Sequence, residues 1–247
     1  MRKTRFALPI TAMLISLSAA QSGSTPAVVA LSEETQAVYT QTRAEPGVKT
    51  KSYYPPFCPP SSCLYYAGDF DSNYSGANGL FNANDEGNSL EGQVWVGVKP
   101  SRDVTVTGAT FVELLTGGYT GVNPTPFAVQ FGTKPGQAGK TICSSNGNAT
   151  ISAYGENQIP TYSYTIRKLS KSCKLRKGNV YYVNLLPTSS NGYGYVANVP
   201  PQSPQNHHGW KNDLNHCYFN SPGFGDNYVT CNSQGAFSEF SVALTGK

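Results

Sequence analysis

Short segments suited to β-strands, each bounded by turn residues, constrain the fold of this chain more than any other feature of its sequence. The segments alternate apolar and polar residues or are rich in β-branched and aromatic residues: 93–98, 104–107, 110–114, 127–131, 161–166, 180–185 and 237–244. Turn signals that contain glycine, proline or asparagine lie between them. No segment of about a dozen residues shows a helical period. The pattern predicts an all-β protein, either a sandwich or a barrel.

Three stretches resemble exported bacterial β-sandwich modules, which occur in secreted or surface-sorted proteins and are mostly uncharacterised. Residues 178–185, GNVYYVNL, resemble the strand G-x-x-Y-x-h-x-L of these modules, where h is apolar. Residues 240–246, FSVALTG, resemble their last strand, and residues 68–80, GDFDSNYSGANGL, resemble their start. The resemblance implies an antiparallel, jelly-roll-like β-sandwich. It transfers no catalytic residue to this chain.

The first 20 residues have the three parts of a secretory signal peptide. A basic start is followed by an apolar run over 6–17 and by small residues at 18–20. The run is too short to span a bilayer, and no later run is long enough, so we expect a secreted protein without a membrane span. The leader carries three of the 18 basic side chains, which leaves 15 against 14 acidic ones. This near balance gives no indication of a nucleic-acid partner.

The chain changes composition abruptly at residue 53. Residues 21–52 are rich in serine, threonine, alanine, glutamine and glutamate without a clear period, which predicts a disordered linker. Residues 53–247 contain all the predicted strands and are long enough for one sizeable core. We therefore expect a single β-sandwich domain over 53–247.

The six cysteines predict disulfide bonds, because an even number in an exported chain is typical of a disulfide framework. No Cys-x-x-Cys occurs, which makes a zinc site the weaker interpretation. Six cysteines allow 15 pairings, and spacing along the chain favours the sequential one. The predicted pairs are Cys58–Cys63, Cys143–Cys173 and Cys217–Cys231.

The oxygen-rich stretch 68–86 has three interpretations. Crowded carboxylates without a nearby lysine or arginine favour a bound cation, and Ca²⁺ takes oxygen ligands of this kind. An EF-hand is excluded, because a loop that starts at Asp71 has Asn82 where a bidentate glutamate is needed. A turn rich in glycine and asparagine, or a carboxylate pair for acid–base chemistry, are the alternatives. The predicted calcium ligands are Asp69, Asp71, Asn73 and Asp85.

Two further stretches are candidates for ligand binding. Trp210 lies in a polar segment near Tyr193 and Tyr195, and these three aromatic residues are predicted to stack on a ligand. The segment 167–177 has six cations in eleven residues, and no acidic residue occurs between Asn157 and Asn212. The pattern favours a solvated hairpin tip, or a partner for the acidic stretch of the same chain. Electrostatic binding to an anionic polysaccharide or cell-wall polymer is the alternative.

The function predicted from these features is extracellular binding or surface interaction without catalysis, with a glycan as the ligand. One alternative is a secreted carbohydrate-active enzyme that uses carboxylates of the 69–91 region. Another is a structural extracellular protein. An exposed aromatic face would favour the first, and two convergent buried carboxylates with a raised pKa would favour the second.

Overall fold

The computed structural model describes residues 28–29, 55–68, 70, 79–86, 90–115, 119–136, 140–153, 161–190, 192–199, 209–234 and 239–247. The predicted signal peptide lies outside these residues, and so does the predicted linker apart from Val28–Val29.

β-Strands are the dominant secondary structure of the described chain, as the alternating segments predict. The strands, numbered in chain order, are β1 (Val28–Val29), β2 (Cys63–Tyr66), β3 (Gly79–Phe81), β4 (Ala83–Asp85), β5 (Leu90–Lys99), β6 (Val104–Leu115), β7 (Gly121–Val122), β8 (Thr125–Phe131), β9 (Lys140–Gly147), β10 (Ala149–Ala153), β11 (Thr161–Ile166), β12 (Cys173–Leu175), β13 (Tyr181–Leu185), β14 (Thr188–Ser189), β15 (Gly194–Val199), β16 (Lys211–Ser221), β17 (Asp226–Thr230), β18 (Glu239–Phe240) and β19 (Val242–Gly246). Two short 3₁₀ turns, Pro222–Phe224 and Cys231–Ser233, flank β17.

The strands form two sheets in a sandwich-like arrangement. The first sheet has the order β1-β3-β15-β6-β11-β10, with β2, β12, β18 and β19 paired beside this path. The second has the order β7-β14-β4-β5-β13-β8-β9, with β16 and β17 beside it. All pairings are antiparallel except that of β14 with β4. The prediction of an all-β, antiparallel, disulfide-bonded sandwich is confirmed.

Alternation along the strands places the core between the sheets. In β5, Val94, Val96 and Val98 are buried members of the core cluster. Trp95 alternates with them and lies outside that cluster, although it too is covered, and its Nε1 donates to Gln93 Oε1 at 3.0 Å. The alternation of residues along the sequence of β5 therefore matches the alternation of its side chains between the core and the opposite face of the sheet.

The predicted last strand, 237–244, is divided in the structure. Its described part consists of β18, which pairs with β15, and β19, which pairs with β6 and β2. The change of partner occurs at Ser241, whose N–H donates to Ala197 O at 2.9 Å and whose Oγ donates to Gly68 O at 2.6 Å. The buried hydroxyl of Ser241 thus gives the carbonyl of Gly68 a hydrogen-bond partner at the point where the strand changes its pairing.

The three disulfides join the predicted sequential pairs, so that prediction is confirmed. Cys143 lies in β9 of the second sheet and Cys173 lies in β12, which belongs to the first sheet. This bond therefore crosses between the sheets. The described residues include no free cysteine.

No helix in the described part of the chain is long and apolar enough to span a membrane.

Candidate functional site

The basic segment, residues 167–177, lies on the surface between β11 and β13 and includes β12. Its apolar positions Leu169, Cys173 and Leu175 are buried, and this anchors the segment to the core. All six of its cations are exposed: Arg167, Lys168, Lys171, Lys174, Arg176 and Lys177. The charge pattern predicted from the sequence is therefore presented to solvent along the whole segment.

Backbone hydrogen bonds and a disulfide hold the basic segment in place. The N–H of Leu169 donates to Thr107 O of β6 at 2.8 Å, and the N–H of Lys171 donates to Ser145 Oγ of β9 at 2.9 Å. β12 pairs with β6, and the disulfide at Cys173 links it to β9. Both sheets thus support the segment, so its cations project from a fixed backbone.

A row of side chains crosses three strands next to the basic segment. Lys174 of β12 lies opposite Thr105 of β6. On the other side of β6, Thr105 N–H donates to Lys247 O at 2.7 Å and Lys247 N–H donates to Thr105 O at 3.1 Å. Residues directly opposite in antiparallel strands place their side chains on the same face. Two exposed lysines therefore flank one half-buried threonine hydroxyl.

An ion pair borders this row. Arg176 Nη1 donates to Asp103 Oδ2 at 2.7 Å, and the N–H of Lys177 donates to Asp103 Oδ1 at 2.8 Å. The backbone hydrogen bond from Lys177, together with the Arg176 guanidinium, lowers the pKa of Asp103. Both side chains of the pair are more than half exposed, so solvent screens the interaction. The ion pair holds the guanidinium of Arg176 beside Asp103.

These residues surround a shallow depression of about 210 Å³, lined by residues 103–105, 174–176 and 247. Lys174, Arg176 and Lys247 contribute three positive charges to its lining, and Asp103 contributes one negative charge. Arg176–Asp103 is the one ion pair within the described ranges of the chain. The lining keeps a net positive charge of two and favours an anionic ligand.

A second polar cluster lies inside the sandwich, around Glu113. This side chain of β6 is fully buried, and its Oε1 accepts from Asn82 Nδ2 at 3.1 Å. Asn82 Oδ1 accepts in turn from Asn184 Nδ2 at 3.1 Å and from the Val94 N–H at 3.0 Å. The network connects β6 of the first sheet to β5 and β13 of the second. Burial raises the pKa of Glu113 well above its ordinary value, and the Asn82 hydrogen bond offsets only part of this.

Two tyrosines extend the interior cluster. Tyr164 Oη lies 3.2 Å from Thr125 Oγ1, and Tyr119 packs edge-on against the Tyr164 ring at 6.3 Å. Burial raises the pKa of both phenols. Glu113 itself is fully buried and does not contact solvent, whereas Tyr119 is only partly buried. Glu113 lies outside the 69–91 region whose carboxylates the enzyme alternative uses, so that alternative stays a prediction.

The predicted stacking residues do not form an exposed aromatic platform. Trp210 is 4% exposed and stacks on Tyr65 with ring centroids 5.5 Å apart, and Tyr195 is 3% exposed. Tyr193 is partly buried and packs edge-on against Phe81. The polar residues around Trp210 in the sequence indicated a surface loop, whereas its apolar ring is covered by the core. Ligand binding by these three residues stays a prediction.

The predicted calcium ligands lie mostly outside the described residues, as Asp69, Asp71 and Asn73 do. Asp85 is fully buried in β4 and paired in register with Leu90 of β5. Within the described part of the chain, no group of three or more histidine, cysteine, aspartate or glutamate residues could hold a metal ion. Calcium binding therefore stays a prediction.

The basic depression was only partly visible in the sequence. The charge run of 167–177 pointed to Lys174 and Arg176. Lys247 lies 73 residues beyond Lys174 and Thr105 lies 69 residues before it, and only the strand register brings the three together. No local pattern could have shown that register.

Comparisons with models of protein families, with curated proteins and with solved structures found no match. The resemblance to exported β-sandwich modules stays a prediction. Evidence for function therefore comes from the surface chemistry of this chain.

Proposed function

We propose that this is a secreted, non-catalytic protein that binds an anionic polysaccharide through the basic segment. The observation that carries the proposal is the exposure of all six cations of 167–177 on a backbone held by both sheets. The three disulfides and the leader-like first 20 residues support secretion.

The arrangement suits a polymer better than a small ligand. Cations distributed along a surface segment can contact successive charges of a polymer chain, and each exposed contact contributes little alone. Their summed field raises the rate of encounter with a polyanion, and salt weakens it. A polysaccharide with regularly spaced anionic groups offers the complementary pattern. Cell-surface polymers of this kind are accessible to a secreted protein.

The test uses dextran sulfate, with uncharged dextran as the reference. The variant Lys168→Glu/Lys171→Glu reverses two exposed charges of the segment. We expect it to reduce affinity for dextran sulfate at least tenfold, measured by surface plasmon resonance at about 50 mM and 150 mM salt. The uncharged dextran should bind weakly to both proteins.

Lys134→Glu provides the matched control for the single variant Lys168→Glu, because Lys134 follows β8 of the second sheet and lies over the Tyr218 ring. It changes the net charge in the same direction at a different place. Equal losses in the control and in the segment variant would show that net charge, and not the segment, determines binding. Failure of the unmodified protein to bind dextran sulfate at low salt would refute the proposal.

A further inference from the structure

We infer that the depression between Lys174, Thr105 and Lys247 is a subsite for a sulfate or phosphate ester group carried by the polysaccharide. This inference rests on the proposed function and specifies the chemical group that is recognised. It depends on the row formed by Lys174 of β12, Thr105 of β6 and Lys247, which directly follows β19, and on the adjacent Arg176–Asp103 pair.

The register determines how close the two ammonium groups can come. Lys174 and Lys247 lie on opposite sides of Thr105, so their backbones are separated by two strand spacings, about 10 Å. Both side chains are exposed and carry flexible four-carbon stems. They can therefore meet over Thr105 around one anion. Without that anion, the two like charges gain nothing from converging.

The donors of this row match a tetrahedral ester better than a carboxylate. Two ammonium groups and a hydroxyl approach from three directions, and a bound sulfate or phosphate ester presents three terminal oxygens. A carboxylate presents only two oxygens in one plane, so three donors that approach from different directions meet its lone pairs with poorer geometry. Hydrogen bonds from ammonium groups to an anion are short and strong, which favours the ligand that uses all of them.

Arg176 and Asp103 border the subsite and have a positioning role. Asp103 accepts from Arg176 Nη1 and from the Lys177 backbone, so it holds the guanidinium beside the row. A guanidinium has five N–H donors, and those that Asp103 does not engage are available to a neighbouring group of the polymer. The Asp103 carboxylate repels any anionic group of the polymer that comes close to it. The polymer must therefore place its ester group over Thr105.

The test compares dextran sulfate, dextran phosphate and carboxymethyl dextran of equal charge density, so that only the anionic group differs. For the unmodified protein, we expect the preferred ester to bind at least tenfold more tightly than carboxymethyl dextran by surface plasmon resonance. The sulfate and phosphate arms show which ester the subsite prefers. Lys174→Gln and Lys247→Gln should each reduce ester binding about tenfold.

Lys168→Gln and Lys171→Gln are the matched controls, because they remove the same charge from the basic segment outside the depression. We expect them to reduce binding of all three polymers by about twofold. Thr105→Val should lower the preference for the ester over carboxymethyl dextran while leaving carboxymethyl dextran binding unchanged. Thermal melts establish that each variant is folded, and a destabilised Thr105→Val leaves the two lysine variants as the deciding measurement.

The outcomes separate the subsite from the proposed function. Equal binding of the three polymers, together with equal effects of all four lysine variants, would overturn the subsite and leave polysaccharide binding standing. Absence of binding to every polymer would overturn both. A preference for an ester that disappears in Lys174→Gln and Lys247→Gln, but persists in the controls, supports the subsite.

Discussion

Among single residues, Glu113 combines full burial with one accepted hydrogen bond, and the described part of the chain places no cation within ion-pairing distance of it. Its Oε2 has no hydrogen-bond partner among the described residues. Because burial raises the pKa of Glu113, the folded state holds this proton more tightly than the unfolded chain does. Its contribution to stability is therefore fully present below the ordinary carboxyl pKa of 4.5 and is lost as the pH rises toward the folded-state pKa.

Replacement of Glu113 by glutamine should remove this pH dependence. The amide keeps an oxygen to accept from Asn82 and carries no charge to desolvate. We expect Glu113→Gln to raise the free energy of unfolding by about 1–3 kcal/mol at neutral pH and to change it little in acid. Urea denaturation at several pH values measures this. Glu86→Gln, at an exposed position, is the control, and a Glu113→Gln protein that is less stable at all pH values would contradict the expectation.

Substitutions of Trp210 distinguish a role in core packing from a role in ligand contact. Its ring is 4% exposed and stacks on Tyr65, whose Oη donates to Glu239. Trp210→Ala should lower the free energy of unfolding by about 3–5 kcal/mol, because it leaves a cavity in the core. Trp210→Phe keeps an aromatic ring and should cost less in the same thermal or urea melt. A Trp210→Phe protein of unchanged stability that loses binding to a neutral oligosaccharide would instead show direct ligand contact.

At the level of elements, the sequence predicted the alternation of residues within strands but not the register between strands. The pattern of 180–185 predicted β13, because its alternate residues Tyr181, Val183 and Leu185 enter the core. The pairing of Lys174 with Thr105 depends on how β12 aligns with β6, and β12 is only three residues long. Long-range packing determines that alignment. The fold class was therefore predictable, whereas the assembled depression was not.

The Cys143–Cys173 disulfide connects the basic segment to the opposite sheet. It closes a loop with a sequence separation of 30 residues, for which the chain-entropy model gives a stabilisation of about 3–4 kcal/mol. We expect Cys143→Ser/Cys173→Ser to lose that amount in urea denaturation. We also expect weaker binding to dextran sulfate, because β12 keeps only its pairing with β6.

Cys58→Ser/Cys63→Ser is the comparison for this prediction. Its loop has a sequence separation of only 5, so its entropic contribution is smaller. Cys63 pairs with Thr245, near Lys247, and does not belong to the basic segment, so we expect a smaller loss of dextran sulfate binding than in the Cys143→Ser/Cys173→Ser protein. Unaltered stability and binding in the Cys143→Ser/Cys173→Ser protein would show that the hydrogen bonds to β6 and β9 hold the segment without the disulfide.

For the whole molecule, we expect that the protein is exported and that its cysteines are oxidised as a consequence. The mature protein should begin near residue 21, and its six cysteines should be oxidised in the three pairs described above. Mass spectrometry of secreted material, with and without alkylation, measures both. Retention of residues 1–20, or alkylation of cysteines in undenatured secreted protein, would argue against export through the oxidising route.

The Cys143–Cys173 disulfide, which links the two sheets, also determines how the protein responds to a pulling force. If a bound polymer is pulled away from the surface, the force enters the protein at β12, which is short and held to β6 by a few hydrogen bonds. Such a strand could peel from the edge of its sheet. The covalent bond from Cys173 to Cys143 transfers that force to β9, which belongs to the other sheet. Both sheets then bear the load together, and the polymer should detach before the protein unfolds.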